Sequence, residues 1–150
     1  MHYKALLQQV DALTAGVPHI TANLANTAAA IWQHFENINW AGFYLREKEQ
    51  LILGPFMGKP ACIEIPMGRG VCGTAAGLDA TQLVADVHAF PGHIACDSDS
   101  NSEIVIPIHK NGAVWGVLDI DSPILNRFSQ ADRQALEELA KILEKNLFTY

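Results

Sequence analysis

Apolar residues recur at helical spacing through Leu6, Leu7, Val10 and Leu13, and the run Gly16-Val17-Pro18 ends that pattern. A second helix is predicted from about Thr21, with Leu24, Ala28, Ile31, Trp32 and Phe35 on one face and Asn37 and Asn39 in the turn that follows. The period then shortens to two. Residues 40–46 and 51–56 flank the polar turn Glu47-Lys48-Glu49-Gln50, which predicts an antiparallel hairpin. Residues 62–66 read as a short strand, and the Gly- and Ala-rich run 68–77 as a short helix carrying Cys72. A strand near 83–86 leads into the stretch 88–102, long enough for a loop to suggest function. In residues 103–109, Ile104, Ile106 and Ile108 alternate with Glu103, Val105, Pro107 and His109, and Lys110-Asn111-Gly112 turns the chain into 113–121. Ser129 with Asp132 three residues later is a capping-box signature, and Leu136, Leu139, Ile142 and Leu143 give the last helix its core face. Helices first, hairpin-linked strands next and a helix last predict an α/β (α+β) fold, its central, mainly antiparallel sheet flanked by N- and C-terminal helices.

Composition narrows the function classes. The 150 residues suit one domain spanning 1–150, without repeat or linker, and 49% apolar with 17% charged residues describes a globular chain. A formal charge of −6 argues against a nucleic-acid partner, since phosphate binding needs excess Lys and Arg. No signal-peptide pattern opens the chain and no apolar run suits a bilayer, so no membrane association is expected and a cytoplasmic location is. Three cysteines in a reducing setting do not make a disulfide framework; reactive thiols, a metal site and plain packing stay open.

Carboxylates and thiols are the candidate chemistry. Asp119 and Asp121, two apart, share one side of a strand, and the hairpin returns Glu103 near Asp121. Three converging carboxylates would hold at least one proton near neutral pH or bind an ammonium; the plainer alternative is a solvated strand end. Cys96 lies in a polar loop three residues after His93, whose charge would lower the thiol pKa. Cys72 sits near a helix N-terminus, which also favours a thiolate, and Cys62 follows Lys59-Pro60-Ala61. His88, His93 and Cys96 offer metal ligands at a spacing matching no common zinc pattern, and no metal is assigned. His2, His19, His34 and His109 read as ordinary surface or helix histidines. Trp40 and Tyr44 share a strand face, as core or as an aromatic wall, and Trp115 reads as core.

Five segments collect these residues into a pattern: Asn39-Trp40-Ala41-Gly42-Phe43-Tyr44, Gly70-Val71-Cys72-Gly73-Thr74-Ala75, the run from Asp86 through Phe90-Pro91-Gly92-His93-Ile94-Ala95-Cys96-Asp97, Ser102-Glu103-Ile104-Val105, and Gly116-Val117-Leu118-Asp119-Ile120-Asp121-Ser122. Nearly the whole chain thereby resembles the free methionine-(R)-sulfoxide reductases. The resemblance implies a GAF fold turned enzyme, a homodimer, no cofactor, and thioredoxin as reductant. It also implies Cys96 as nucleophile, Cys62 and Cys72 as recycling cysteines with Cys62 as the direct resolver, and Glu103, Asp119 and Asp121 as substrate-site carboxylates. Trp40 and Tyr44 match the family's aromatic wall, and backbone N–H groups around Ile94 and Ala95 its grip on the substrate carboxylate. Because a sulfoxide sulfur is attacked more readily once its oxygen is protonated, Glu103 and Asp121 are expected to supply the proton and Asp119 to meet the ammonium.

Overall fold

The computed structural model describes residues 3–94, 96 and 98–149. Two helices, α1 (Tyr3–Thr14) and α2 (Ile20–His34), precede the hairpin of β1 (Trp40–Glu47) and β2 (Gln50–Gly58). A short β3 (Glu64–Pro66), the helix α3 (Gly70–Leu78) and a short β4 (Gln82–Val84) follow. One 3-10 turn, Val87–Ala89, opens the long loop; β5 (Ser102–Lys110), β6 (Ala113–Ser122) and α4 (Gln130–Leu147) complete the order. The strands form one sheet in the order β3-β2-β1-β6-β5-β4, antiparallel at every pairing. The predicted α+β class and hairpins are thus the observed ones. The strand expected over 62–66 begins only at Glu64, which leaves Cys62 in an irregular connection.

Period-two alternation sorts the side chains between two cores. Ala41, Phe43, Ile104, Ile106, Ile108, Leu118 and Ile120 pack beneath α1, α2 and α4, against Leu6, Leu24, Ile31, Leu136 and Leu139. Trp40, Tyr44, Val105 and Val117 face the other way, toward Val71, Cys72, Ala75 and Ala76 of α3. The central strands are therefore covered on both faces, and the residues between the isoleucines of β5 are buried rather than solvated. Covering by α3 is close: a Cβ at Gly73 would stand 2.5 Å from the Pro66 carbonyl oxygen, so only glycine lets the helix lie on β3. Gly70 starts that helix at φ 64°, and a Cβ there would meet the Ile94 side chain at 3.2 Å, which brings the long loop down over the helix start.

Local chemistry fixes the ends. Asn111 and Gly112 both take positive φ, the two-residue turn of a tight hairpin. At α4, Ser129 and Asp132 make the reciprocal cap, and the Asp132 carboxylate also accepts the Tyr3 hydroxyl at 2.6 Å, tying α1 to α4. Reciprocal caps of this kind stabilise by about 1 kcal/mol.

His109, expected as an unremarkable surface histidine, clamps three elements instead. Its Nδ1 lies 2.7 Å from Glu144 of α4 and its Nε2 2.5 Å from Asp79, the residue that ends α3. Burial alone would depress the imidazole pKa, but the hydrogen bonds and charges of Asp79 and Glu144 raise it above 6.5. A raised histidine pKa means that the clamp stabilises fully below the unfolded value near 6.5 and that its contribution is lost as pH rises through the folded value. With His109 more than a third exposed, solvent screening limits the clamp to about 1 kcal/mol. In thermal melts, His109→Ala is expected to lower Tm by about 2–4 °C at pH 6 and by much less at pH 9. A deficit independent of pH would mean packing, not charge, holds the clamp.

Candidate active site

The register of three adjacent strands builds the pocket floor. Trp40 of β1 pairs with Asp121 of β6, which pairs with Glu103 of β5; one step along, Gly42 pairs with Asp119, and Asp119 with Val105. Glu103 and Asp119 are 7% and 5% exposed, so these acids floor a pocket rather than end a solvated strand. The Cys72 thiol of α3 comes down on them and donates to Glu103 Oε2 at 3.9 Å, and one donor atom each of Cys72, Glu103 and Asp119 lies within 4.8 Å of the others. Burial, then the charges of Asp119 and Asp121, pushes the Glu103 carboxyl well above the usual range. Asp119 is also raised by burial, though the hydrogen bonds it receives from Glu103, Cys72 and Asp121 offset part of that. Glu103 is therefore the acid that holds its proton more firmly, with Asp119 the carboxylate that ionises before it.

Cys72 behaves differently from the expectation of a helix-terminal thiolate. It is 4% exposed, and burial followed by Asp119 and Glu103 pushes its pKa well above 9. Burial of the thiol and the two buried acids beside it outweigh the partial positive charge at the end of a nine-residue helix.

Trp40 and Tyr44 form one wall. Their rings stack at 5.8 Å, and Phe56 also stacks on Trp40 at 5.1 Å. Their polar edges point at the connection between β2 and β3: Trp40 Nε1 donates to the Lys59 carbonyl at 3.1 Å and the Tyr44 hydroxyl to the Cys62 carbonyl at 2.8 Å. Burial raises the Tyr44 phenol, which stays a donor across the physiological range. The same two side chains thus line the cavity and hold the segment that carries Cys62.

At the mouth, Cys62 and Cys96 are joined by a disulfide with Cα atoms 5.4 Å apart. Both are half-buried, and Cys96 and Ile94 line the pocket with His93. Burial and the neighbouring His88 hold the His93 imidazole below the usual histidine range, although Asp119 pulls the other way. A histidine uncharged at neutral pH does not supply the electrostatic pull on the Cys96 thiol that sequence proximity suggested. Ala95 lies outside the described residues. Ala61, Ile65, Val71 and Ser100 also line the pocket, and sequence reasoning missed them. Of these, Ile65 carried a signal, as the apolar residue between Glu64 and Pro66 in a predicted strand.

The GAF domain family matches residues 12–147. The free methionine-R-sulfoxide reductase of Escherichia coli is 52% identical over 98% of this chain and 89% of its own length. The structure of fRMsr of Staphylococcus aureus in its reduced form superposes with a TM-score of 0.95 at 52% identity, covering 97% of this chain and 95% of that one. Free methionine-R-sulfoxide reductase from Neisseria meningitidis, solved with its substrate, gives a TM-score of 0.93 at 48% identity over 96% and 87% of the two chains. A thiol pair at the mouth of a carboxylate-floored, aromatic-walled GAF pocket, matched over nearly its full length at about half identity, means that the chain belongs to the free methionine-R-sulfoxide reductase family.

Proposed function

We propose that Cys96 is the nucleophile with which this chain reduces free methionine-(R)-sulfoxide to methionine, and that Cys62 resolves the product. The observation that carries the assignment is the Cys62–Cys96 disulfide at the mouth of the carboxylate pocket. The Cys96 thiolate attacks the sulfoxide sulfur, the S–O bond breaks, and oxygen transfers to Cys96 as a sulfenic acid while methionine leaves reduced. The Cys62 thiol then displaces that hydroxyl as water and closes the disulfide. An external dithiol, thioredoxin, returns both cysteines to thiols in a second exchange, and such a cycle belongs in a reducing compartment, the cytoplasm. Cys72 serves as the reserve recycling thiol. Among the described helices none is long and apolar enough to cross a membrane.

The pocket residues divide the remaining work. Glu103, with Asp121 beside it, passes a proton to the sulfoxide oxygen as the S–O bond weakens; Asp119 pairs with the substrate ammonium; the Trp40–Tyr44 wall receives the S-methyl end; backbone N–H groups near Ile94 and Ala95 hold the carboxylate. The division supports selection of the free amino acid, because a residue within a peptide has no ammonium to offer Asp119.

The test incubates the protein with L-methionine-(R,S)-sulfoxide and a dithiol and separates the epimers by chiral chromatography, with N-acetylmethionine sulfoxide in parallel. Loss of the R epimer alone, with the acetylated compound untouched, is the expected result. Failure to turn over either epimer, with thiols verified as reduced, would sink the reading and leave a ligand-binding GAF domain.

A further inference from the structure

We propose that Cys72, Glu103 and Asp119 form a site for one thiophilic divalent cation of the zinc–cadmium class, which excludes the substrate ammonium from the pocket. The exclusion rests on the substrate placement proposed above; the cation site itself does not.

Three observations converge on a cation with an affinity for sulfur. First, the donor atoms are already gathered: Cys72 Sγ and Glu103 Oε2 are 3.9 Å apart, close to the ~3.6 Å that a tetrahedral ion imposes on one sulfur and one oxygen ligand. The widest pair of the three, within 4.8 Å, needs to close by about 1 Å, which carboxylate rotation accommodates. Second, the Oδ1 atom of Asp119, a side chain 95% buried, receives no hydrogen bond from any described residue although it faces the pocket. A buried carboxylate oxygen in that position calls for a positive partner. Third, no Lys or Arg is among the described residues lining the pocket into which Glu103 and Asp119 face.

An ammonium group answers the second and third observations and gains nothing from the first. It is a hard cation, indifferent to a thiol. A soft ion uses the sulfur as well, and a thiol with two carboxylates selects zinc or cadmium over magnesium or calcium, which prefer oxygen alone. On binding, the Cys72 thiol and the Glu103 carboxyl release their protons to solvent as the S–metal and O–metal bonds form, and no electron moves. Water completes the coordination from the open mouth.

The oxidised protein makes the test specific. With Cys62 and Cys96 joined, Cys72 is the only thiol among the three cysteines of the chain. Cadmium added to that form is expected to produce the ultraviolet thiolate-to-cadmium charge-transfer band, saturating at one ion per chain. Cys72→Ser should abolish the band and Glu103→Gln weaken binding by at least about 10-fold, with circular dichroism verifying that both variants are folded. Methionine sulfoxide should raise the apparent cadmium Kd in proportion to its concentration. A band that is absent, or that survives Cys72→Ser, overturns the site, and a band unmoved by methionine sulfoxide overturns the exclusion. Turnover in metal-free buffer with a dithiol tests the reductase reading separately, so the two failures are told apart.

Discussion

Cys96→Ser is expected to lower kcat/KM for methionine sulfoxide by at least about 10³-fold, some 4 kcal/mol of transition-state stabilisation, while leaving the sulfoxide bound. A serine hydroxyl fills the same place at the pocket mouth but is neither ionised nor nucleophilic enough to attack sulfur. The carboxylate floor and aromatic wall sit on β1, β5 and β6, elements the substitution does not touch. Binding can therefore be read without turnover: sulfoxide at about 100 times its Kd should stabilise the variant by about 2.7 kcal/mol, or roughly 5–10 °C in Tm. Cys62→Ser divides the cycle at the next step. It should release one equivalent of methionine per chain in a fast first turnover and then slow sharply, with a sulfenic acid on Cys96 that dimedone traps before the buried Cys72 resolves it. Retained multiple turnover in Cys96→Ser would move the nucleophile elsewhere, with Cys72 next in line despite a pKa pushed well above 9 by burial and its acidic neighbours.

Where residue identity and strand period suffice, the site was legible in the chain. Asp119 and Asp121 share a face because a strand repeats every two residues, and the Asn111-Gly112 turn returns Glu103 opposite Asp121. Trp40 and Tyr44 reach the same pocket by the same parity, although the pairing of β1 with β2 shifts between Gly42 and Tyr44. What the chain did not disclose depends on packing between distant segments. Cys72 looks like an activated thiol while its neighbours in sequence are considered, and becomes a buried, protonated one only when α3 lands on acids from β5 and β6. His93 seems positioned to charge Cys96 until His88 and burial are counted. The His109 clamp joins residues 30 and 35 positions away, a relation with no periodicity to betray it. Likewise, two hydrogen bonds from the aromatic wall hold the Cys62 segment outside any strand, where the apolar run had suggested a strand.

Asp119→Asn is expected to raise KM for free methionine sulfoxide by about 10²-fold or more while kcat falls by less than about 10-fold, because the lost pair is made with the ground state and the transition state alike. The substitution is isosteric and removes only the charge, at a side chain 5% exposed whose Oδ1 receives no hydrogen bond from any described residue. Discrimination should change with it. The native pocket rejects N-acetylmethionine sulfoxide because Asp119 would remain buried opposite an uncharged amide, a penalty of a few kcal/mol. With asparagine an amide can pair, so the ratio of kcat/KM for free over acetylated substrate should drop by at least about 10-fold, even though the bulk of the acetyl group keeps absolute activity low. The same change should raise Tm by about 2–4 °C, since it removes a negative charge buried beside two other acids in a pocket lined by no Lys or Arg among the described residues. An unchanged KM with discrimination intact would place the ammonium on Asp121 or Glu103 and leave Asp119 a structural acid; Asp121→Asn, measured the same way, would then decide between those two. A higher KM together with a higher Tm is the signature that separates a binding carboxylate from a structural one. An acid held for binding alone destabilises the empty fold, and one that supports the fold cannot be removed with a gain in stability.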